Sequence, residues 1–233
     1  MYDGYEKYGA HEAASYEEER KKEPLWWQEE QFVSDYFANH KPRIILDAPV
    51  GTGRFLDRYS NADMAVGIDI SEEMLKQSSR KLADLRLANI QLMWGDIFKL
   101  DFFDNYFDLT ICWRFAHLVP ENLLADALRE LGRVTGGEIL LQTYVGQPYW
   151  LRLIASLKRL PAKIYCRLSG TMPPPLPWSH IRAYFHTHKT LFKKIAEAGL
   201  IINQRVEIGP YNDCMVYIYQ LSKPEHGKSI CDS

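Results

Sequence analysis

At 233 residues the chain is long enough for one well-buried α/β domain with some decoration, and short for two full domains. With 46% apolar and 25% charged residues it has the proportions of an ordinary globular protein, which excludes a disordered or fibrous chain. Its 28 basic residues stand against 30 acidic ones, so it lacks the positive excess that phosphate-backbone binding requires, and nucleic acid is not an expected partner.

The opening residues MYDGYEKYGAHEAASYEEER are acidic and tyrosine-rich, with no apolar stretch behind a basic head. No apolar run reaches membrane-spanning length, and a cytoplasmic location is the expectation. Cys112, Cys166, Cys214 and Cys231 form no close pair of the kind zinc sites use, so free thiols are expected, with Cys112 in the core.

Residues 1–40 read as a helical lid segment. Pro24 suits a first helical turn, and Leu25, Phe32, Val33, Tyr36 and Phe37 recur at roughly helical spacing until Pro42. Residues 41–233 read as the main domain. From Arg43 the pattern changes to short β-rich runs, RIILDA, MAVGIDI, IQLMWGD, FDLTICW and EILLQTY, alternating with helical stretches. That alternation predicts a doubly wound, mostly parallel sheet with helices on both faces. Ser71 is placed to cap a helix from Glu72 to about Leu85, and Pro120 to open one running to about Val134.

The rhythm breaks at about residues 146–186, which read as an insertion or cap. There Trp150, Leu153, Ile154, Leu157 and Leu160 keep helical spacing beside Arg152, Lys158 and Arg159, with Lys163 and Arg167 beyond Pro161. The pattern over 150–167 could suit a membrane surface or a lipid-linked substrate, but a pocket cover whose charged face is solvated is the preferred reading. His180, His186 and His188 read as structural. A helix from about Lys189 to Ala198 stops at Gly199, and LIINQRVEI and MVYIYQL, joined by GPYND, form a terminal antiparallel hairpin.

The chemistry concentrates in Ile44 to Leu56, a buried strand that runs into a tight glycine turn and then a predicted helix. Gly51 and Gly53 permit close approach of ligand and backbone, and the new helix would present free amide donors. Leu56 stands where a dinucleotide site wants a third small residue, and no Lys-Ser or Lys-Thr pair follows, which disfavours dinucleotides and nucleoside triphosphates. Asp69 lies about 20 residues on, the distance at which such folds meet a ribose.

The run DAPVGTGRF resembles the first motif of class I S-adenosylmethionine-dependent methyltransferases. The resemblance implies their strand order, 3-2-1-4-5-7-6, and S-adenosyl-L-methionine as cofactor. It implies that Asp47, Gly51 and Gly53 hold the methionine portion, with Pro49 and Thr52 in the same turn. Asp69 then meets both ribose hydroxyls, Ile70 and Met74 border the adenine, Asp96 accepts its amino group beside Ile97, and Trp113 closes the set. The strand ending in Trp113 faces the reacting methyl group in that family, so the segment from Arg114 to Pro120 is where a base is sought.

His117 is the candidate general base, since an unperturbed imidazole is largely neutral at physiological pH; holding the loop's shape is the alternative. Arg114 reads as either a loop brace or an anion contact, and Tyr16 as a lid residue. The segment shows no carboxylate cluster for a hard cation, and no metal is expected. The predicted activity is in-line methyl transfer to an oxygen or nitrogen of a small-molecule acceptor. The alternatives are a protein or RNA acceptor and a noncatalytic cofactor-binding module.

Overall fold

A computed structural model of the protein describes residue 17 and residues 20–23, 25–146, 183–211 and 214–224. The expectations for Tyr16, Pro24, Cys166, Cys231, His180 and the 150–167 stretch therefore lie outside the described residues. Among the described residues, seven strands alternate with four α-helices. In chain order they are α1 (Trp26–Asn39), β1 (Ile44–Asp47), β2 (Met64–Asp69), α2 (Glu72–Leu85), β3 (Ile90–Trp94), β4 (Phe107–Cys112), α3 (Glu121–Val134), β5 (Thr135–Gly146), α4 (His188–Glu197), β6 (Ile201–Tyr211) and β7 (Cys214–Ser222).

The strands form one sheet in the order β3-β2-β1-β4-β5-β7-β6, as the sequence predicts. β1 to β5 pair in parallel, while β7 runs antiparallel to both β5 and β6. Because side chains alternate along each strand, the sheet feeds two cores. Leu46, Val66, Cys112, Ile139 and Leu141 pack with α3 and α4 residues such as Leu124, Leu128, Leu191 and Ile195. On the other face Ile45, Leu109, Ile111 and Leu140 meet Val33 and Tyr36 of α1 and Leu75 and Leu82 of α2. Cys112 is fully buried and a free thiol, and Cys214 is buried.

The helix ends follow from local chemistry. The Ser71 side chain accepts a hydrogen bond from the Met74 amide at 3.3 Å, with Glu72 and Glu73 at the positive end of the dipole. Pro120 leads into α3, and Gly199, at φ +76°, ends the chain's last helical turn. One expectation needs correction: the glycine turn enters no α-helix, only a four-residue 3-10 turn, Leu56–Tyr59, because the Leu56 and Tyr59 side chains are drawn into the core. On α1 the expected Val33 and Tyr36 are buried together with Trp26 and Glu29, Leu25 just before the helix is buried too, and Phe32 and Phe37 are partly buried.

β5 begins directly where α3 ends, so the sheet takes up Thr135 to Glu138 ahead of the apolar run. This is possible because Gly137 lets the strand graze β4: a Cβ there would stand 2.0 Å from the Asp108 carbonyl oxygen. Gly137→Ala is therefore expected to destabilise the fold by about 3 kcal/mol or more, since backbone, not a flexible side chain, must give way. Denaturant unfolding measures it, and a midpoint equal to wild type would show that the strands separate freely here. Among the described residues no helix is long and apolar enough to cross a membrane.

Candidate active site

In a parallel sheet, ligands bind beyond the carboxyl ends of the strands, near the point where the strand order reverses. Here β1 is flanked by β2 and β4, and the cleft lies over the ends of β1, β2, β3 and β4. It encloses about 920 Å³ of space, part of it open to solvent. Asp47, Pro49, Gly51, Thr52, Asp69, Ile70, Met74, Asp96, Ile97, Trp113 and Arg114 all line it. Gly53 and His117 are not among its lining residues.

Three carboxylates stand at successive strand ends. Asp47, at the end of β1, is 3% exposed, and its Oδ2 accepts a 2.7 Å hydrogen bond from the Tyr59 hydroxyl. Burial pushes its pKa up to about 7; the Tyr59 bond opposes that rise, the nearby Asp69 charge adds to it, and Lys81 opposes it. Asp69, at the end of β2, receives the Gly51 amide on Oδ2 at 2.8 Å and the Ser71 amide on Oδ1 at 2.9 Å. Burial pushes Asp69 up to about 6 against these backbone bonds. One carboxylate thus pins the glycine turn to the start of α2. Beyond β3, Asp96 is half-buried, and its Oδ1 accepts the Phe98 amide at 3.0 Å in a tight turn that opens no helix.

The two turn glycines serve different ends. Both have positive φ, +55° at Gly51 and +78° at Gly53. A Cβ on Gly51 would meet nothing within 4 Å, leaving its face open toward the cleft, whereas one on Gly53 would stand 2.6 Å from the Leu56 side chain. Gly51 leaves room for a ligand, and Gly53 makes room for the core.

On the β4 side, Trp113 stands edge-on to Phe55, with ring centroids 5.2 Å apart. Its indole nitrogen is buried with no hydrogen-bond partner among the described residues. Arg114 follows in a left-handed conformation, φ +55°, which costs a residue with a side chain roughly 1–2 kcal/mol. Its backbone amide donates to Gln142 Oε1 at 3.1 Å, and its Nη2 pairs with Glu29 at 3.0 Å and Glu23 at 3.1 Å. Those ion pairs are what a loop brace requires. His117 sits in the 3-10 turn Ala116–Leu118, edge-on to Tyr144 at 4.7 Å. His186 Nε2 lies 3.0 Å from both the Ala116 and Val119 carbonyls, fixing that turn.

Sequence reasoning missed Glu29, Arg54, Tyr59 and Gln142. Glu29, only 1% exposed, accepts from Arg54 Nη1 at 2.6 Å, Arg114 Nη2 at 3.0 Å and Gln142 Nε2 at 2.8 Å. Burial works to raise its pKa, but the two guanidiniums hold it below the usual carboxylate range. Arg54 also bonds Glu30 and the Trp26 carbonyl, and its guanidinium lies 3.5 Å above the Trp26 ring. The signal was present: Glu29 keeps helical spacing with Trp26, Val33 and Tyr36, so a carboxylate stands on the face that must be buried.

The residue set suits S-adenosylmethionine on its own chemistry. It offers carboxylates for an ammonium and for hydroxyls, open space over Gly51, an unpartnered indole donor and an apolar wall of Ile70, Met74 and Ile97. Residues 45–136 match the family described as "Methyltransferase domain". A phosphatidylethanolamine N-methyltransferase of Cereibacter sphaeroides is 34% identical over 107 residues, 45% of this chain, which spans about half (52%) of that relative's length. A demethylmenaquinone methyltransferase of Bacillus cereus is 26% identical over 224 residues, covering 88% of this chain and 87% of that protein. The magnesium protoporphyrin IX methyltransferase of Synechocystis, solved with bound S-adenosylhomocysteine, superposes with a TM-score of 0.62 at 15% identity, over 84% of each chain. Residues 45–136 thus match a methyltransferase domain, and the whole sheet has the class I S-adenosylmethionine-dependent methyltransferase fold.

Proposed function

We propose that the protein methylates an oxygen or nitrogen of an apolar small molecule of the lipid or quinone kind. The observation that carries this reading is the three-carboxylate cleft at the ends of β1, β2 and β3, continued toward β4 by Trp113, Phe115 and Leu118. The names of the two relatives, one acting on a phospholipid and one on a quinone precursor, support an acceptor of that class. Asp47 and the open turn around Gly51 hold the methionine end, Asp69 the ribose hydroxyls, and Asp96, Ile97, Ile70 and Met74 the adenine. S-adenosylmethionine supplies an electrophilic methyl group, which the acceptor's lone pair attacks in line.

This chain's residues contribute mainly by alignment and by excluding water. Phe55 and Trp113 present aromatic faces beside the turn, a surface suited to a sulfonium. For a hydroxyl acceptor the candidate base is His117, which stands behind the lining residues Phe115 and Leu118 of its own turn, whereas an amine acceptor reacts before losing its proton. Arg114 braces the loop that carries His117. The opening segment is read as a lid: Glu17 reaches Lys81 of α2 at 3.3 Å, while Glu23 reaches Arg114 and accepts the Tyr211 hydroxyl at 2.9 Å, so these two carboxylates bridge both sides of the cleft. The location we infer is cytoplasmic.

The test is incubation of the protein with isotopically labelled S-adenosylmethionine and a cell extract, followed by mass spectrometry of each fraction. Label in an organic-soluble small molecule is expected. Label confined to protein or RNA, or none transferred although the cofactor binds, overturns the reading.

Tyr59→Phe probes the Asp47 assignment. Removing the hydroxyl takes away a bond that lowers the Asp47 pKa, so the carboxyl should protonate at higher pH than in wild type. The pH below which S-adenosylhomocysteine affinity declines should move upward, by about half a unit to one unit. Calorimetric titration at several pH values gives the midpoint, and an unmoved midpoint removes Asp47 from the set that titrates on binding.

A further inference from the structure

Asp69 and Asp96 account for the nucleoside half of the cofactor, but the far end of the cleft, beyond Asp47, is built differently. Along β3-β2-β1-β4, Asp96, Asp69 and Asp47 follow in order, so a ligand with its base toward β3 has its amino-acid end toward β1 and β4. There the cleft is lined by Arg54, directly after the glycine turn, and Arg114, directly after Trp113. The two guanidiniums come from loops 60 residues apart in sequence, yet both close on one carboxylate. Glu29 Oε2 receives Arg54 Nη1 at 2.6 Å and Arg114 Nη2 at 3.0 Å.

The other oxygen of Glu29 is equally committed. Oε1 accepts Gln142 Nε2, and Gln142 Oε1 in turn accepts the backbone amide of Arg114, the residue held at φ +55°. Glu29 therefore reaches Arg114 twice, through its guanidinium and through the glutamine that fixes its backbone. Gln142 is fully buried on β5, a fixed anchor, and α1 is fixed in turn by Val33 and Tyr36 in the core. Surface ion pairs position little because solvent screens them, but a carboxylate 1% exposed and satisfied by three donors holds its partners in one geometry.

We infer that Glu29 is a positioning residue that sets the amino-acid end of the cofactor site by holding Arg54 and Arg114 as a single wall. The inference rests on the cofactor placement proposed above. Glu29 touches neither cofactor nor acceptor; it acts through the two arginines, and the first helix thereby becomes part of the site.

The experiment compares two ligands on one protein. S-adenosylhomocysteine carries the nucleoside and the amino-acid end; 5′-methylthioadenosine carries the nucleoside and thioether and lacks that end. In Glu29→Gln, which keeps shape and removes charge, affinity for S-adenosylhomocysteine should fall about tenfold or more while that for 5′-methylthioadenosine stays within about twofold. Glu29→Asp should recover part of the loss. If Glu29→Gln does not fold, as circular dichroism and thermal unfolding will show, Gln142→Met tests the same wall by releasing Arg114 with all charges kept. The same split, smaller in size, is expected there.

Equal loss for both ligands means a general structural role and overturns the inference alone, as does no loss for either. A wild-type protein that binds neither ligand overturns the cofactor placement and this inference with it.

Discussion

Asp69→Asn is expected to lower affinity for S-adenosylhomocysteine by at least about a hundredfold while leaving the thermal stability of the free protein nearly unchanged. In the free protein the Asp69 carboxylate is buried and spends both oxygens on backbone donors, Gly51 on one side and Ser71 on the other. Among the described residues no cationic side chain pairs with it, so burial of its charge is compensated only by backbone amides. An asparagine keeps the shape and one acceptor, turns its amide group toward the second backbone donor, and no longer has a charge to desolvate. These changes nearly cancel in the free fold.

They do not cancel in the complex. Two hydroxyls donating to an ionised carboxylate form hydrogen bonds worth roughly 1.5–3 kcal/mol each, and the amide can accept neither as well. Calorimetry measures the affinity, and a thermal melt without ligand measures the free fold. Affinity within about threefold of wild type would remove Asp69 from the cofactor site. A melt lowered in proportion to the affinity would show instead that the residue mainly holds the turn.

How much of this was legible in the sequence depends on how local each signal is. The alternation of strands and helices is legible in short β-rich runs at regular intervals, and the strand order follows from the family resemblance of one glycine turn; both signals are written in contiguous residues. The cap at Ser71 and the stop at Gly199 are equally local, and both stand where expected. The residues placed around the cleft, from Asp47 to Trp113, are legible because a parallel sheet brings all its strand ends to one edge. What was not legible depends on contacts between distant segments. Nothing near Leu56 says that its side chain will turn into the core and replace an α-helix by a short 3-10 turn. Nothing near Gln142 says that it will meet Glu29, 113 positions away. Glu29 itself could have been found, since a charged residue on a buried stripe demands partners, but its partners could not. His117 was chosen for chemistry alone, and its neighbours Tyr144 and His186 come from segments whose approach only the fold reveals.

The same buried carboxylates make binding depend on pH, with a sign opposite to their effect on folding. Asp47 and Asp69 are pushed up to about 7 and about 6 in the free protein, from ordinary values near 3.8. For folding, a raised carboxyl pKa means the native state holds its proton more tightly than the unfolded chain. The contribution is favourable below about pH 4 and is lost as pH rises through 6 and 7. For binding, the cofactor's ammonium and ribose hydroxyls call for ionised carboxylates, so below those same values each site must release a proton before the ligand is held. Affinity for S-adenosylhomocysteine should be level above about pH 8 and weaken by about a thousandfold at pH 5, steepening where the second carboxyl joins the first. Groups facing Asp47 shape this curve: Tyr59 and Lys81 move its midpoint down, and Asp69 moves it up. The rise in melting temperature caused by saturating ligand should therefore grow steadily from pH 5 to pH 8, although these two groups lower the stability of the free protein over the same interval. Melts with and without ligand across that range decide the matter. A ligand-induced rise that is constant with pH would mean that neither carboxyl changes its proton on binding, and that Asp47 and Asp69 are already ionised in the empty cleft.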